Sequence, residues 1–184
     1  MSYCEFCREL PEDNVHKYYH DFQYGFPLET DNELFERLVL EINQAGLSWN
    51  TILVKKDNFF KAYSEFDIKT VANYDEIERV RLLNDAGIIR NKLKVNAAIH
   101  NANVILELQN EHGSFKAWIE HHYPLTKEEW VKVFKKNFKF VGGEIVNEFL
   151  QSTGYLPTPH DKDCPVYEQI EAVKAEPKKQ KPQP

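Results

Sequence analysis

The carboxylate at position 41 lies in a setting that suggests chemistry. On a helical wheel of ~100° per residue, Leu34, Leu38 and Ala45 all fall within about 60° of Glu41. An acid in the middle of an apolar stripe is costly to bury without a partner, so such positions are candidates for functional groups. The alternative is a structural acid that caps a neighbouring helix or pairs with an arginine.

The turn after this helix carries a second signal, in the run Gln44-Ala45-Gly46-Leu47-Ser48-Trp49. Gly46 is expected to end the helix. A tryptophan close to a buried acid suits a flat ligand that stacks and exchanges hydrogen bonds. A core tryptophan beside a capping glycine fits the same pattern.

A third signal is the turn Asp85-Ala86-Gly87, which separates two helical segments. This arrangement is a helix-hairpin-helix pattern, whose backbone N–H groups can hold a phosphate without reading base sequence. The residues concerned are Gly87, Ile88, Ile89 and Arg90, and we expect Arg90, Lys92 and Lys94 to add positive charge. Many helical proteins also join two helices through a glycine without binding DNA.

Thiols and imidazoles recur near both ends of the chain at spacings typical of metal ligands. They are Cys4, Cys7, His16 and His20 near one end, and His160 and Cys164 near the other. Zinc favours a tetrahedron of two thiolates and two imidazoles, so a site could join residues 4–20 to 160–164. Cys7 competes with His20, because Cys4-x2-Cys7 is itself a ligand spacing. Free buried thiols with surface histidines are the alternative.

The composition fits a single folded domain. The chain has 184 residues, of which 28% are charged and 42% hydrophobic, so a packed core is expected. The chain contains no run of 18 apolar residues, so no membrane-spanning helix is predicted. The N-terminus has neither the basic nor the apolar region of a secretion signal, so we expect a cytoplasmic protein with reduced cysteines.

The net charge of −6 conceals an asymmetry. Residues 1–40 carry nine acids and three bases, and residues 41–184 are balanced. Two stretches are locally basic: 79–100 with five arginines and lysines against Asp85, and 132–139 with four lysines and no acid. Phosphate binding needs such a local footprint more than a high overall charge. Lysines that solvate helix faces would give the same counts.

Scarce glycine and little strand-like alternation predict an all-α fold. Thr30 and Glu33 form a capping box that starts one helix, and Asp31 adds charge to its first turn. Further helices are predicted at 51–63, 91–108, 114–122, 127–136 and 142–153. Another is predicted to begin at an Asn73 cap, with Glu76 three residues on, and to run to Asn84. His112-Gly113 is expected to end the helix that begins at 91. The Pro- and Lys-rich residues 174–184 are predicted to be disordered, leaving 1–173 as one domain.

Together these features resemble the bacterial DNA-3-methyladenine glycosylase I family, a zinc-containing branch of the helix-hairpin-helix glycosylases. The resemblance runs from Cys4 to about Cys164. Its most specific motifs are Tyr19-His20-Asp21 with Gly25, Leu40-Glu41 to Trp49, Asp85 to Arg90, and Phe138-Lys139-Phe140-Val141-Gly142. It implies an all-α helix-hairpin-helix domain with a zinc site that joins the N- and C-terminal segments.

The resemblance also implies roles for residues. Zinc would be held by Cys4, His20, His160 and Cys164, with Cys7 a spare thiol. Trp49 would stack on the flipped base, while the catalytic Glu41 and Tyr19 hydrogen-bond its edge. Gln44, Gly46 and Leu47 would face the gap in the duplex, and Gly87, Ile88, Ile89 and Arg90 would grip phosphate. Phe6 and Tyr24, where the family usually has tryptophan, complete the expected base-binding set.

The implied activity is base-excision repair: hydrolysis of the N-glycosidic bond of 3-methyladenine in alkylated double-stranded DNA after base flipping. No aspartate occurs between residues 86 and 160, where most helix-hairpin-helix glycosylases carry one. The physics allows this, because N3-methylation charges the purine and the base then departs neutral without a general acid. The ionised Glu41 would prefer that cationic base to adenine.

The resemblance also bears on the cofactor and on the competing classes. The zinc would be structural, because four protein ligands leave no open position, and a monomer is expected. A non-catalytic DNA-binding module on the same scaffold is one competing class. A zinc-dependent helical hydrolase, with Glu5 or Asp161 as its base, is another.

Overall fold

The computed structural model describes residues 1–175, which form twelve α-helices and no β-strand. The helices are α1 (Tyr3–Arg8), α2 (Val15–Phe22), α3 (Asp31–Gln44), α4 (Trp49–Leu53), α5 (Lys56–Ala62), α6 (Ile68–Ala72), α7 (Glu76–Asn84), α8 (Lys92–His112), α9 (Phe115–His122), α10 (Lys127–Asn137), α11 (Gly143–Ser152) and α12 (Pro165–Ala175). A short 3-10 turn, Ser64–Phe66, separates α5 from α6. The predicted all-α fold is confirmed. Across the described residues, every helix is too short or too polar to cross a membrane.

The chain divides into two compact units. The central unit is Leu28–Leu150, and the terminal unit combines Met1–Pro27 with the chain from Gln151 onward. The terminal unit holds α1, α2 and α12 around a small core of Cys4, Cys164, Val166 and Ile170, against which Phe26 packs. Helix α12 includes Lys174 and Ala175, and the rest of the predicted disordered tail, 176–184, lies outside the described residues.

Helix α3 lies at the centre of the central unit, where it packs against α4, α6, α8 and α9. The predicted capping box starts it: Glu33 N–H donates to Thr30 Oγ1 (3.2 Å) and Thr30 N–H donates to Glu33 Oε2 (2.9 Å). Leu34, Phe35 and Leu38 are fully buried along its length. The same apolar face carries Glu41 into the interior.

Asp31 does more than supply charge to the first turn of α3. Its carboxylate accepts hydrogen bonds from the backbone N–H groups of Phe115 (2.9 Å) and Lys116 (3.0 Å) and from Gln109 Nε2 (2.7 Å). Asp31 therefore joins the start of α3 to the start of α9, using N–H groups that a helix N-terminus leaves unsatisfied.

Two helix predictions needed correction. The predicted helix 51–63 is two helices, α4 and α5, interrupted at Val54 and Lys55. Asn73 was the wrong cap: it ends α6, and Asp75 caps α7 by accepting from Ile77 N–H (2.9 Å). The body of α8 extends past Leu108 to His112, and its predicted end is confirmed by Gly113 in the left-handed conformation (φ 87°). Helices α1, α2, α6 and α12 were not predicted.

Candidate functional site

Four buried side chains in the terminal unit bring their ligand atoms together. Cys4, His20, His160 and Cys164 each offer one sulfur or nitrogen, and these atoms all lie within 4.8 Å of one another. Cys4 lies on α1, His20 on α2 and Cys164 directly before α12. The folding of the two chain ends into one unit brings together two thiols and two imidazoles, which are ligands that zinc favours.

The spacing of these atoms fits a tetrahedral cation. Cys4 Sγ lies 3.2 Å from His20 Nε2 and 3.5 Å from His160 Nδ1, and Cys164 Sγ lies 3.8 Å from both nitrogens. Zinc bonded to thiolate and imidazole at its usual bond lengths places sulfur and nitrogen about 3.6 Å apart. The donor set and its distances therefore suit a metal of this size.

The outer nitrogen of each histidine is also fixed. His160 Nε2 lies 2.7 Å from the backbone carbonyl of Tyr24, and His20 Nδ1 lies 2.6 Å from Asp21 Oδ1. These partners leave the inner nitrogens, Nδ1 of His160 and Nε2 of His20, as lone-pair donors. A histidine that binds a metal almost always has such a partner on its other nitrogen.

Burial disfavours the charged forms of two of the four ligands. It raises the pKa of the Cys4 thiol to about 12 and lowers the pKa of the His160 imidazole. A thiol with that pKa stays protonated at neutral pH unless a cation stabilises the thiolate, so metal binding there would release protons.

Cys7 is not part of this cluster. It is buried, but its Sγ lies 3.7 Å from the backbone carbonyl of His16, to which the thiol donates. Burial raises the pKa of Cys7 to about 11. His16 Nδ1 lies 3.0 Å from the Tyr3 hydroxyl. The choice between Cys7 and His20, open at the level of spacing, is decided by where the sulfur points.

Three of the residues predicted to bind the base, Tyr19, Tyr24 and Phe6, are aromatic and lie in the same terminal unit as this cluster. Tyr19 is buried on α2, and its ring centroid is 5.4 Å from that of Tyr24. Tyr24 in turn lies edge-on to His160 at 5.5 Å, while its carbonyl accepts from the same histidine. Phe6 is 40% exposed and stacks on Tyr3 at 6.2 Å. The cluster therefore fixes the backbone and ring of Tyr24, which supports Tyr19.

In the central unit, Glu41 is only 4% exposed, as its place on the apolar stripe predicted. Burial raises the pKa of Glu41 to about 8; the Arg37 guanidinium opposes this shift, and the Glu148 carboxylate adds to it. Arg37 lies one turn before Glu41 on α3 and is equally buried. Sequence reasoning missed Arg37, although its i, i+4 spacing from Glu41 was a readable signal.

The segment after α3 is exposed and turned outward. Gly46 has a φ of 80°, a left-handed conformation in which other residues are strained, and the predicted helix end there is confirmed. Leu47 is 38% exposed, and Gln44 Nε2 donates to the Leu47 carbonyl at 3.0 Å. Trp49 is half-buried at the first position of α4, which Ser48 caps. Gln44 thus ends α3, Gly46 and Leu47 lie in the turn, and Trp49 begins α4.

The predicted hairpin joins α7 to α8 through seven residues. Asp85 Oδ1 accepts from Gly87 N–H at 2.7 Å, and the side chain of Ile88 is buried. Among the described residues, the N–H groups of Ile89, Arg90 and Lys92 have no hydrogen-bond acceptor. Arg90 and Lys92 are exposed at this point. The hairpin therefore offers backbone donors and cations together.

Lys94 does not contribute to that charge, contrary to expectation. It is 4% exposed, and its ammonium donates to the backbone carbonyls of Asn43 (2.8 Å) and Ala45 (2.7 Å). Counting basic residues could not reveal this, because burial depends on the packing of α8 against α3.

A groove of about 460 Å3 lies between α7 and α8 in the central unit. Its lining includes Arg79, Lys92 and His100, together with one acid, Glu76. Neither Glu41 nor Trp49 lines it. Arg79 pairs with Glu76 at 3.8 Å, so Lys92 is the lining residue that the groove shares with the hairpin's cations.

Comparison with known proteins identifies the family. The model of the methyladenine glycosylase family matches residues 9–133. The chain belongs to this family. DNA-3-methyladenine glycosylase 1 of Escherichia coli (strain K12) is 32% identical over 182 residues, covering 89% of this chain and 97% of that protein.

Two solved structures of the family are similar over most of their length. The 3-methyladenine DNA glycosylase I from Staphylococcus aureus is 31% identical, with a TM-score of 0.77 over 85% of this chain and 93% of that one. A tyrosine-to-phenylalanine variant of 3-methyladenine DNA glycosylase I in complex with 3-methyladenine is 29% identical, with a TM-score of 0.79 over 91% and 98%. The family match to residues 9–133 includes His20 but not Cys4, His160 or Cys164.

Proposed function

We propose that this protein is a DNA-3-methyladenine glycosylase that removes the methylated base from alkylated double-stranded DNA as a monomer. The observation that carries the proposal is the buried carboxyl of Glu41 on α3, followed after an exposed turn by the half-buried Trp49 at the start of α4. In a member of the methyladenine glycosylase family, an acid and an aromatic ring of this kind suit a flipped purine.

The burial of Glu41 suggests how a methylated base is selected. With a pKa of about 8, the carboxyl is largely protonated at neutral pH and can donate a hydrogen bond. An opposite charge favours the ionised form, so a cationic N3-methylated purine would draw the proton off and then bind a carboxylate. Neutral adenine offers no such compensation for the buried charge. Selectivity would thus come from electrostatics, with Trp49 supplying stacking area.

The contacts to DNA would be divided between two places in the central unit. Leu47 and Gln44, on the exposed loop, would face the gap that an extruded nucleotide leaves. The free N–H groups of Ile89 and Arg90 would hold a phosphate, which is the usual task of a helix-hairpin-helix turn. Lys92 and the groove beside it would extend the phosphate contacts.

We also propose that Cys4, His20, His160 and Cys164 hold a structural zinc ion. The support is the fit of four buried ligand atoms to a tetrahedron, with a partner on the outer nitrogen of each histidine. When bound, zinc would neutralise the two thiolates and join residues 4–20 to 160–164. The four protein ligands would leave no position for a catalytic water, so the residues of the cluster would bind and orient rather than react.

Release of free 3-methyladenine from methylated duplex DNA tests the proposal. Wild type should release the base, and Trp49→Ala and Glu41→Ala should lose most of that activity while remaining folded. Glu41→Gln, which keeps the shape but cannot ionise, should lose the preference for methylated over unmodified adenine. Glu107→Gln, an exposed acid on α8, is the matched control and should behave as wild type.

Two results would overturn the proposal. Folded, metal-loaded wild type that binds DNA but releases no base would indicate a non-catalytic DNA-binding module. An unchanged base preference in Glu41→Gln would show that the carboxylate is not the source of selectivity.

A further inference from the structure

Lys94 is a charged side chain enclosed by the central unit. It is 4% exposed, and its Nζ donates to the carbonyl oxygens of Asn43 at 2.8 Å and Ala45 at 2.7 Å. These are two of the last carbonyls of α3, which have no partner within the helix. A cation there also interacts favourably with the negative end of the helix dipole. Lys94 thus fixes the end of the helix that carries Glu41.

The same helix α8 holds a second segment in place. Asn101 is fully buried; its Nδ2 donates to the Lys139 carbonyl (3.1 Å), and its Oδ1 accepts from Lys139 N–H (2.8 Å). The next residue, Phe140, has a φ of 58°, which is unusual for a side chain other than glycine. Its ring centroid lies 5.9 Å from Lys94 Nζ, within reach of a cation–π contact. Phe140 therefore adds a second contact to the ammonium that already bonds the two carbonyls.

The loop beyond these carbonyls bonds mainly to the end of α3, with Gln44 Nε2 donating to the Leu47 carbonyl at 3.0 Å. Gly46 has no neighbouring atom within 4 Å of the position a Cβ would take, and Leu47 is exposed. Leu47 N–H donates to the Gln44 carbonyl (2.7 Å), so the loop closes on the end of α3 itself. Whatever moves Ala45 therefore moves Gly46 and Leu47 with it.

We propose that Lys94 is a positioning residue that sets the Ala45–Leu47 loop through its bonds to Asn43 and Ala45, so that Leu47 can enter the gap left by the flipped nucleotide. This rests on the proposed glycosylase function. It assigns a task to a buried basic residue, and to Phe140 of the Phe138–Gly142 motif, whose ring lies beside it. Lys94 would act through the loop and touch neither base nor phosphate.

The test uses the full chain and three lysine substitutions. Lys94→Met keeps the length but loses charge and donors; Lys94→Arg keeps both; Lys61→Met removes an exposed lysine in the last turn of α5 and is the matched control. Three quantities are measured for each: the single-turnover rate of 3-methyladenine release, the affinity for free 3-methyladenine, and the affinity for a duplex with a tetrahydrofuran abasic site relative to the intact duplex.

We expect Lys94→Met to lose its preference for the abasic duplex and to slow release by about 100-fold, the scale expected when a group is displaced by about 1 Å. Its affinity for the free base should stay at the wild-type value, because that binding needs no loop in a gap. Lys94→Arg should recover most of the abasic preference, and Lys61→Met should match wild type.

Wild-type abasic preference and release rate in Lys94→Met would overturn the inference. So would a loss of free-base affinity as large as the loss of release, since that would indicate a general structural role. If Lys94→Met does not fold, Lys94→Gln, which can donate to one carbonyl, replaces it with the same expected pattern and the same overturning result. Wild type that neither releases base nor prefers the abasic duplex would instead contradict the proposed function.

Discussion

The free energy of unfolding of Glu41→Gln should increase relative to that of wild type as the pH rises from 5 to 9. Burial holds the pKa of Glu41 at about 8 in the folded protein, against an ordinary value of 4.5. A raised pKa means that the folded state binds the proton more tightly than the unfolded state does. The stability this provides is complete below pH 4.5 and is lost as the pH rises through about 8.

The size of the effect follows from the two pKa values. Each pKa unit corresponds to about 1.4 kcal/mol, so the whole shift is worth about 5 kcal/mol, of which about 4 kcal/mol falls between pH 5 and pH 9. Glutamine has no proton to lose and escapes this penalty. The free energy of unfolding of wild type should therefore fall by about 4 kcal/mol relative to Glu41→Gln across that range.

Urea unfolding at pH 5, 7 and 9 measures this difference. Glu107→Gln, the same change at an exposed position of α8, should follow the wild-type curve at every pH. Any constant offset between wild type and Glu41→Gln reflects the packing of the amide and does not bear on the prediction. An offset that is equal at pH 5 and pH 9 would refute the reasoning, because Glu41 would then titrate alike in the folded and unfolded states.

Three further predictions concern the metal cluster, the start of α3 and the hairpin. Cys164→Ser should lose bound zinc and melt at a lower temperature while Cys7→Ser keeps its metal, as measured by elemental analysis and thermal melts; equal metal loss in both would contradict the ligand set. Asp31→Ala should lower the free energy of unfolding by about 1–3 kcal/mol, because it leaves the start of α9 without its acceptor; an unchanged urea midpoint would contradict that link. Arg90→Gln should weaken binding to all duplexes alike and reduce the slope of log affinity against log salt by about 1; a loss confined to particular sequences would argue against a phosphate contact.

Local sequence patterns predicted the features that depend on neighbours within one or two helical turns. The Thr30–Glu33 box, the helix ends at Gly46 and Gly113, and the apolar stripe that buries Glu41 are all such features. Each rests on contacts between residues at most four positions apart or on the conformational freedom of one glycine, so the local pattern contains the information.

Long-range packing, in contrast, sets which side chains from distant parts of the chain share an environment. Cys7 and His20 were equal candidates for a metal ligand by spacing. In the folded protein His20 lies with Cys4, His160 and Cys164, whereas the Cys7 thiol donates to the His16 backbone carbonyl. Lys94 was predicted to be a surface cation, but the packing of α8 against the end of α3 buries it against two backbone carbonyls. The physical reason is the same for both. The partners of these two side chains are atoms far away in sequence, which the spacing around Cys7 and Lys94 does not encode.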